Sequence, residues 1–146
     1  MNDLKARALR VLARREHSRA ELERKLAPHA ESQQLLEGLL SELEGRRLLS
    51  NHRFAEMRAH VLARKYGAAK IRQDLKAKGV PDEVVEMSVS TVSRAGELER
   101  AREILQRKYK SAATTRGEWA KRARFLHGRG FSSETIYRLI RTFDAE

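Results

Sequence analysis

The chain has 146 residues, no cysteine, and 31 basic against 20 acidic side chains, a formal net charge of +11. This length suits one ordinary domain or a few small units sharing a core, and the lack of thiols excludes a disulfide scaffold, a zinc ribbon or finger, and any thiolate nucleophile. The basic surplus favours a polyanion as partner, nucleic acid or a nucleoprotein ahead of an anionic membrane face.

The opening MNDLKARALRVLARREH is broken by charge and lacks the apolar core of a secretory signal. No apolar run is long enough to span a bilayer, so the expected setting is the cytoplasm, with no membrane partner. Residues 1–50 carry a net +2, residues 51–95 a net +4 and residues 96–146 a net +5. All eight aromatic residues lie beyond residue 50, so the first third must build its core from Leu, Val and Ala.

In chain order the apolar residues recur at helical spacing, and the fold class is all-α. Leu4, Ala8, Val11 and Leu12 mark a first helix, and Leu22 and Leu26 a short second one. Leu35, Leu36, Leu39, Leu40 and Leu43 mark a third, expected to end at Gly45 in a left-handed cap. Ser50 or Asn51 is placed to cap the next helix. Gly79 closes a helix, and Pro81, Asp82 and Glu83 suit the first turn of another. Residues 97–109 read as an extra amphipathic helix with Leu98, Ala101, Ile104, Leu105 and Tyr109 on one face, followed by an exposed loop over 111–118.

Setting Ser18 against Gly67 and Ser132 aligns RREHSRAELERKL, ARKYGAAKIRQDL and GRGFSSETIYRLI. Arg15, Arg64 and Arg129 coincide, as do His17, Tyr66 and Phe131, and then Leu22, Ile71 and Ile136. The 49-residue offset between the first two copies also carries Leu35, Leu36, Leu40 and Leu43 onto Val84, Val85, Val89 and Val92. The expected organisation is therefore three tandem three-helix, helix-turn-helix-like repeats at 1–50, 51–95 and 96–146. In the shared segment Ser18 and Glu21 form a capping box, Ser132 caps the third copy, and Gly67 is a weaker cap. The ring before each cap staples the two helices together.

No glycine-rich phosphate loop, metal-ligand spacing, converging carboxylate pair or nucleophile elbow is present. The expectation is a binding protein without catalysis, cofactor or metal. A candidate surface follows from comparing the copies. AELERKL is charge-balanced, whereas AKIRQDLKAKG carries Lys70, Arg72, Lys76 and Lys78 against Asp74. With Arg64 and Lys65 before it, and Lys121, Arg122, Arg124, Arg129, Arg138 and Arg141 in the third copy, these cations form a basic track for a filament or DNA. Arg72 and Lys76 share an outer face, and Arg122 and Phe125 are neighbours at helical spacing. Singly, each cation reads more readily as part of a solvated face, and the aligned arginines as helix-end caps.

ALRVLARREHSRAELERKL, LLSNHRFAE, RKYGAAKIRQDLKAKGV and FLHGRGFSSETI, in that order, resemble the RecX family of bacterial regulators of the RecA recombinase, over about residues 8–141. The resemblance implies an elongated, curved array of tandem three-helix repeats. It implies a monomeric, non-enzymatic regulator of recombination, DNA repair and the SOS response. Such a protein binds RecA filaments, suppresses their ATPase, strand-exchange and co-protease activities, and binds single- and double-stranded DNA weakly and without sequence preference. Lying in the filament groove and bridging protomers would give that inhibition. The alternatives are a direct DNA-binding helix-turn-helix protein and a helical adaptor for another partner. Arg47, Ser50 and Asn51 depart from the family's junction, which usually has Gly before its hydrophobic pair and acidic residues after it.

Overall fold

The computed structural model describes the backbone of residues 2–94 and 96–144 and the side chains of residues 3–93 and 96–140. Among them there are nine α-helices and no strand. The chain forms two compact units, Met1–Arg58 with Leu75–Val85, and Ala59–Asp74 with Glu86–Glu146.

The first unit contains α1 (Asn2–Arg14), α2 (Arg19–Leu26), a 3-10 turn (Ala27–His29) and α3 (Gln33–Gly45). It also holds the start of α4 (Asn51–Leu62), the end of α5 (Ala68–Ala77) and the start of α6 (Asp82–Arg94). Its helical stripes converge on Leu4, Ala8, Leu22, Leu26, Leu36, Leu40, Leu43 and Leu49, an aliphatic core as expected. The capping box forms: Ser18 Oγ accepts from Glu21 N at 3.0 Å and Glu21 Oε1 accepts from Ser18 N at 3.2 Å. Ser18 Oγ also donates to Lys78 O at 2.6 Å. Of the two candidates for the start of α4, Ser50 is the cap, accepting from Arg53 N at 3.1 Å, while Asn51 Oδ1 accepts from Arg19 N at 2.9 Å.

The end of α3 differs from expectation in its detail. The helix stops at Gly45, but the left-handed residue is Arg47, with φ 62°. Leu48 N reaches Leu43 O at 2.9 Å and Arg47 N reaches Glu44 O at 3.0 Å, a Schellman closure. Closure in this register also turns the chain so that Leu49 enters the core. Register, rather than the position of the glycine, decides which residue takes the unfavourable conformation. The same closure ends α5 through Gly79, with φ 78°.

The second unit holds the rest of α4, α5 and α6 together with α7 (Glu97–Lys108), α8 (Arg116–Gly128) and α9 (Ser133–Asp144). The extra helix α7 packs against α9 and α8 around Ala101, Ile104, Leu105, Leu126, Phe131, Ile136 and Leu139. The loop expected over 111–118 is shorter. Thr115 Oγ1 accepts from Glu118 N at 3.1 Å and starts α8, so Arg116, Gly117 and Glu118 are helical. A Thr with Glu three positions on is a cap signal that composition alone obscures. At the 49-residue offset Val85 and Val89 are buried as Leu36 and Leu40 are, whereas Val84 is buried where Leu35 is only partly so, and Val92 is partly buried where Leu43 is buried.

Candidate polyanion interface

The sequence places Gly67 at a weak cap, but the structure gives it another task. Gly67 N donates to Arg129 O at 2.8 Å, and Ala69 N donates to Gly130 O at 3.1 Å. A Cβ on Gly67 would lie 2.6 Å from the Gly130 carbonyl, and one on Gly130, whose φ is 93°, would lie 2.6 Å from Lys70 N. Two of the matched turns thus meet backbone to backbone, as only glycine permits.

Around this meeting point, arginines hold the carbonyls of the turn that follows α4. Arg100 donates to Ala63 O and Tyr66 O, each at 3.4 Å, Arg107 to Arg64 O at 2.5 Å, and Arg129 to Lys65 O at 3.2 Å. Four consecutive carbonyls of residues 63–66, just past the negative end of α4, are answered by three guanidinium groups. Arg100 is half-buried and lies 5.8 Å above the Phe131 ring, and burial lowers its pKa. The basic character of the surface therefore continues into α7 and the segment after it, through Arg107, Lys108 and Lys110. Sequence reasoning passed over these because it compared only the repeated segments.

The structure sorts the expected cations by what they touch. Arg64, Lys65, Lys70, Lys121 and Arg124 are exposed, and none makes an ion pair among the described residues. Lys76 is exposed and Lys78 partly buried, both in the first unit. Arg72, four residues before Lys76, is tied to a carboxylate at the surface. It is partly buried and forks onto Glu86, Nε to Oε2 at 2.7 Å and Nη2 to Oε1 at 3.1 Å, and this bond to the carboxylate raises its pKa. Arg138 is exposed and pairs with Glu134 at 3.1 Å, one helical turn away. Arg141 lies outside the described side chains.

Arg122 and Phe125 are neighbours on α8 and meet different partners. Arg122 lies 4.5 Å from the Tyr109 centroid and 5.9 Å from that of Trp119, and donates to Ser111 O at 2.7 Å. Phe125 is approached by Lys108 at 5.6 Å and Arg129 at 5.0 Å, and meets Tyr109 edge-on at 5.9 Å. Arg129 also lies 5.4 Å from the Tyr66 centroid. Cations and rings adjoin one another at the surface, and one carboxylate lies close to them: Glu118, whose pKa is lowered by the Thr114 amide and also by Arg122.

The first unit treats its matched turn otherwise. Arg15 forks onto Glu21, both bonds at 3.2 Å, and Arg53 pairs with Glu16 at 3.1 Å. Burial acts to raise the Glu21 pKa, but the bonds from Arg15 and Ser18 N outweigh it and hold the carboxyl below its usual range. His17, 1% exposed, has Nδ1 3.0 Å from Arg15 O and Nε2 2.8 Å from Lys25 Nζ. Donation from Nδ1 and acceptance at Nε2 require a neutral ring, and burial together with Arg15 and Lys25 lowers its pKa.

Among the described residues there is no cluster of metal-ligating side chains, and no helix is long and apolar enough to cross a membrane. Residues 50–88 match the second three-helix domain of RecX and residues 95–140 the third. The chain is 46% identical over 142 residues to the regulatory protein RecX of Ralstonia nicotianae, covering 97% of this chain and 89% of that one. It is 43% identical to that of Leptothrix cholodnii, covering 98% and 90%, and 39% identical to that of Neisseria meningitidis, covering 91% and 86%. The crystal structure of RecX from Lactobacillus salivarius has the same fold, with a TM-score of 0.87 at 21% identity over 99% of this chain and 97% of that one.

Proposed function

Because the chain belongs to the RecX family of regulatory proteins, we propose that it binds RecA filaments on DNA and inhibits their ATPase, strand-exchange and co-protease activities. It acts in the cytoplasm as a monomer, without catalysis, and its weak, sequence-independent hold on single- and double-stranded DNA assists the filament contact. We further propose that it is organised as three repeats over 1–50, 51–95 and 96–146; the boundary at Ala95 falls outside the described residues.

The observation that carries this reading is the group of exposed, uncompensated cations at the α4–α5 turn and along α8. A RecA filament on DNA presents phosphate and acidic protein surfaces in repeated array. A protein with several weak anion contacts gains affinity there through multivalency, lying in the groove and bridging protomers. Occupying that groove opposes entry of duplex DNA and the protomer movements of ATP turnover.

RecA ATPase on single-stranded DNA, measured with and without this protein, tests the reading, with inhibition at substoichiometric amounts the expected result. Competition between RecA-coated and bare DNA separates it from direct DNA reading. Preference for one duplex sequence, with the ATPase unaffected, would replace the filament regulator by a helix-turn-helix DNA-binding protein.

A further inference from the structure

We propose that the ladder of Trp119, Arg122, Tyr109, Phe125, Arg129 and Tyr66 is a stacking site for unpaired nucleobases. The inference rests on the nucleic-acid reading above and assigns that activity a specific site and chemistry.

All four rings of the ladder are only partly buried, whereas Phe131, the ring that fills the core of the same unit, is 2% exposed. Core packing therefore accounts for Phe131 fully and for the ladder only in part. The guanidinium of Arg122 lies 4.5 Å from Tyr109 and 5.9 Å from Trp119, and that of Arg129 lies 5.0 Å from Phe125 and 5.4 Å from Tyr66. Each guanidinium is a flat layer against its rings, while Tyr109 and Phe125 meet edge-on at 90°, so the layers do not form one continuous stack; a base is one further flat layer for a ring face. The Arg122 bond to Ser111 O, 2.7 Å long, fixes one of these layers before any ligand arrives. Exposed Lys108, Lys110 and Arg116 surround the ladder in sequence and suit the phosphates of a strand whose bases reach the rings.

This arrangement selects for single strands. Bases in a duplex are already paired and stacked, whereas unpaired bases present π faces that aromatic side chains and arginine receive without regard to sequence. Among its described residues the first unit has no such surface, and its one Phe, Tyr or Trp is Phe54, which is 1% exposed.

Trp119 is the sole tryptophan, so its fluorescence reports on the site directly. The full chain is titrated with a short oligodeoxythymidylate and with an abasic oligomer of equal length. The expected result is binding of both, with Trp119 quenched by the first alone. Trp119→Leu, which keeps apolar volume without a ring, lowers affinity for oligodeoxythymidylate about tenfold and leaves the abasic oligomer unaffected, while Trp119→Phe restores much of the loss. Binding of both probes with no base-dependent quenching, or equal weakening of both by Trp119→Leu, overturns the stacking site and leaves the polyanion surface standing. Failure of both probes to bind removes the nucleic-acid reading and the stacking site with it. If circular dichroism shows Trp119→Leu to be unfolded, quenching in the unaltered chain decides.

Discussion

The turn ahead of α2 and the turn ahead of α5 stand 49 residues apart and differ in charge at three matched positions. Glu16, Glu21 and Glu23 occupy the positions of Lys65, Lys70 and Arg72. In the first turn the carboxylates secure the structure: Glu21 closes the capping box and holds Arg15, and Glu16 holds Arg53. In the second turn no glutamate is available for this. The glycine contact and the arginines on the carbonyls that follow α4 secure the backbone instead, and Lys65 and Lys70 stay exposed. The same helical turn can thus be built to consume positive charge internally or to present it, depending on what satisfies its backbone.

The comparison breaks most sharply at the glycines. Gly130→Ala adds a Cβ 2.6 Å from Lys70 N at a residue with φ 93°. It should destabilise the chain by roughly 3 kcal/mol through strain and overpacking, read as a lower midpoint in urea. Gly38→Ala, where a Cβ meets nothing within 4 Å, is the control, and should be neutral or slightly stabilising.

Exchanging the charges tests what the second turn presents. Lys65→Glu with Lys70→Glu should reduce the log–log salt slope for duplex DNA by about 2, since each lost phosphate contact removes close to one unit. Glu16→Lys with Glu23→Lys should alter it less, because Arg15 and Glu21 still pair. Equal slopes for the two double variants would mean that the turns contribute alike.

The next effect belongs to the first turn. Burial holds the His17 pKa below 6.5, so the unfolded chain takes up the proton first as the pH falls. The neutral ring's contribution is complete above 6.5 and is lost as the pH drops through and below that value. Urea unfolding between about pH 8 and pH 5 should show this loss in the native chain and a flatter profile in His17→Phe, which takes the ring of the third copy. Arg15, Glu21 and Lys25 face the imidazole, and Glu21 stays ionised over most of that range because its own pKa is lowered.

The smallest effect should be a gain. Arg47 has φ 62°, whereas Gly79 and Gly130 hold the corresponding left-handed positions after α5 and α8. Arg47→Gly should add about 0.5–1 kcal/mol of stability by relieving that conformation, less the entropy a glycine restores to the unfolded chain. An unchanged or lower midpoint would show that the Arg47 side chain contributes more than its backbone costs.

The sequence by itself determined the helices, their caps and the inward residues. Those depend on neighbours within about one turn: Ser18 with Glu21, Ser50 with Arg53, and the leucine spacing of α3. Comparison of the copies also singled out Arg64, Lys65, Lys70, Lys121 and Arg124, which are exposed, but not Arg107, Lys108 and Lys110. Tertiary structure alone decided which arginines remain available to a ligand. Arg72 goes to Glu86, Arg122 to Tyr109, and Arg129 to Lys65 O, in each case across a distance in sequence that no local pattern encodes. A guanidinium group bonds a carboxylate, a carbonyl or a ring face with comparable ease, so its partner is set by which of these the packed helices bring within reach.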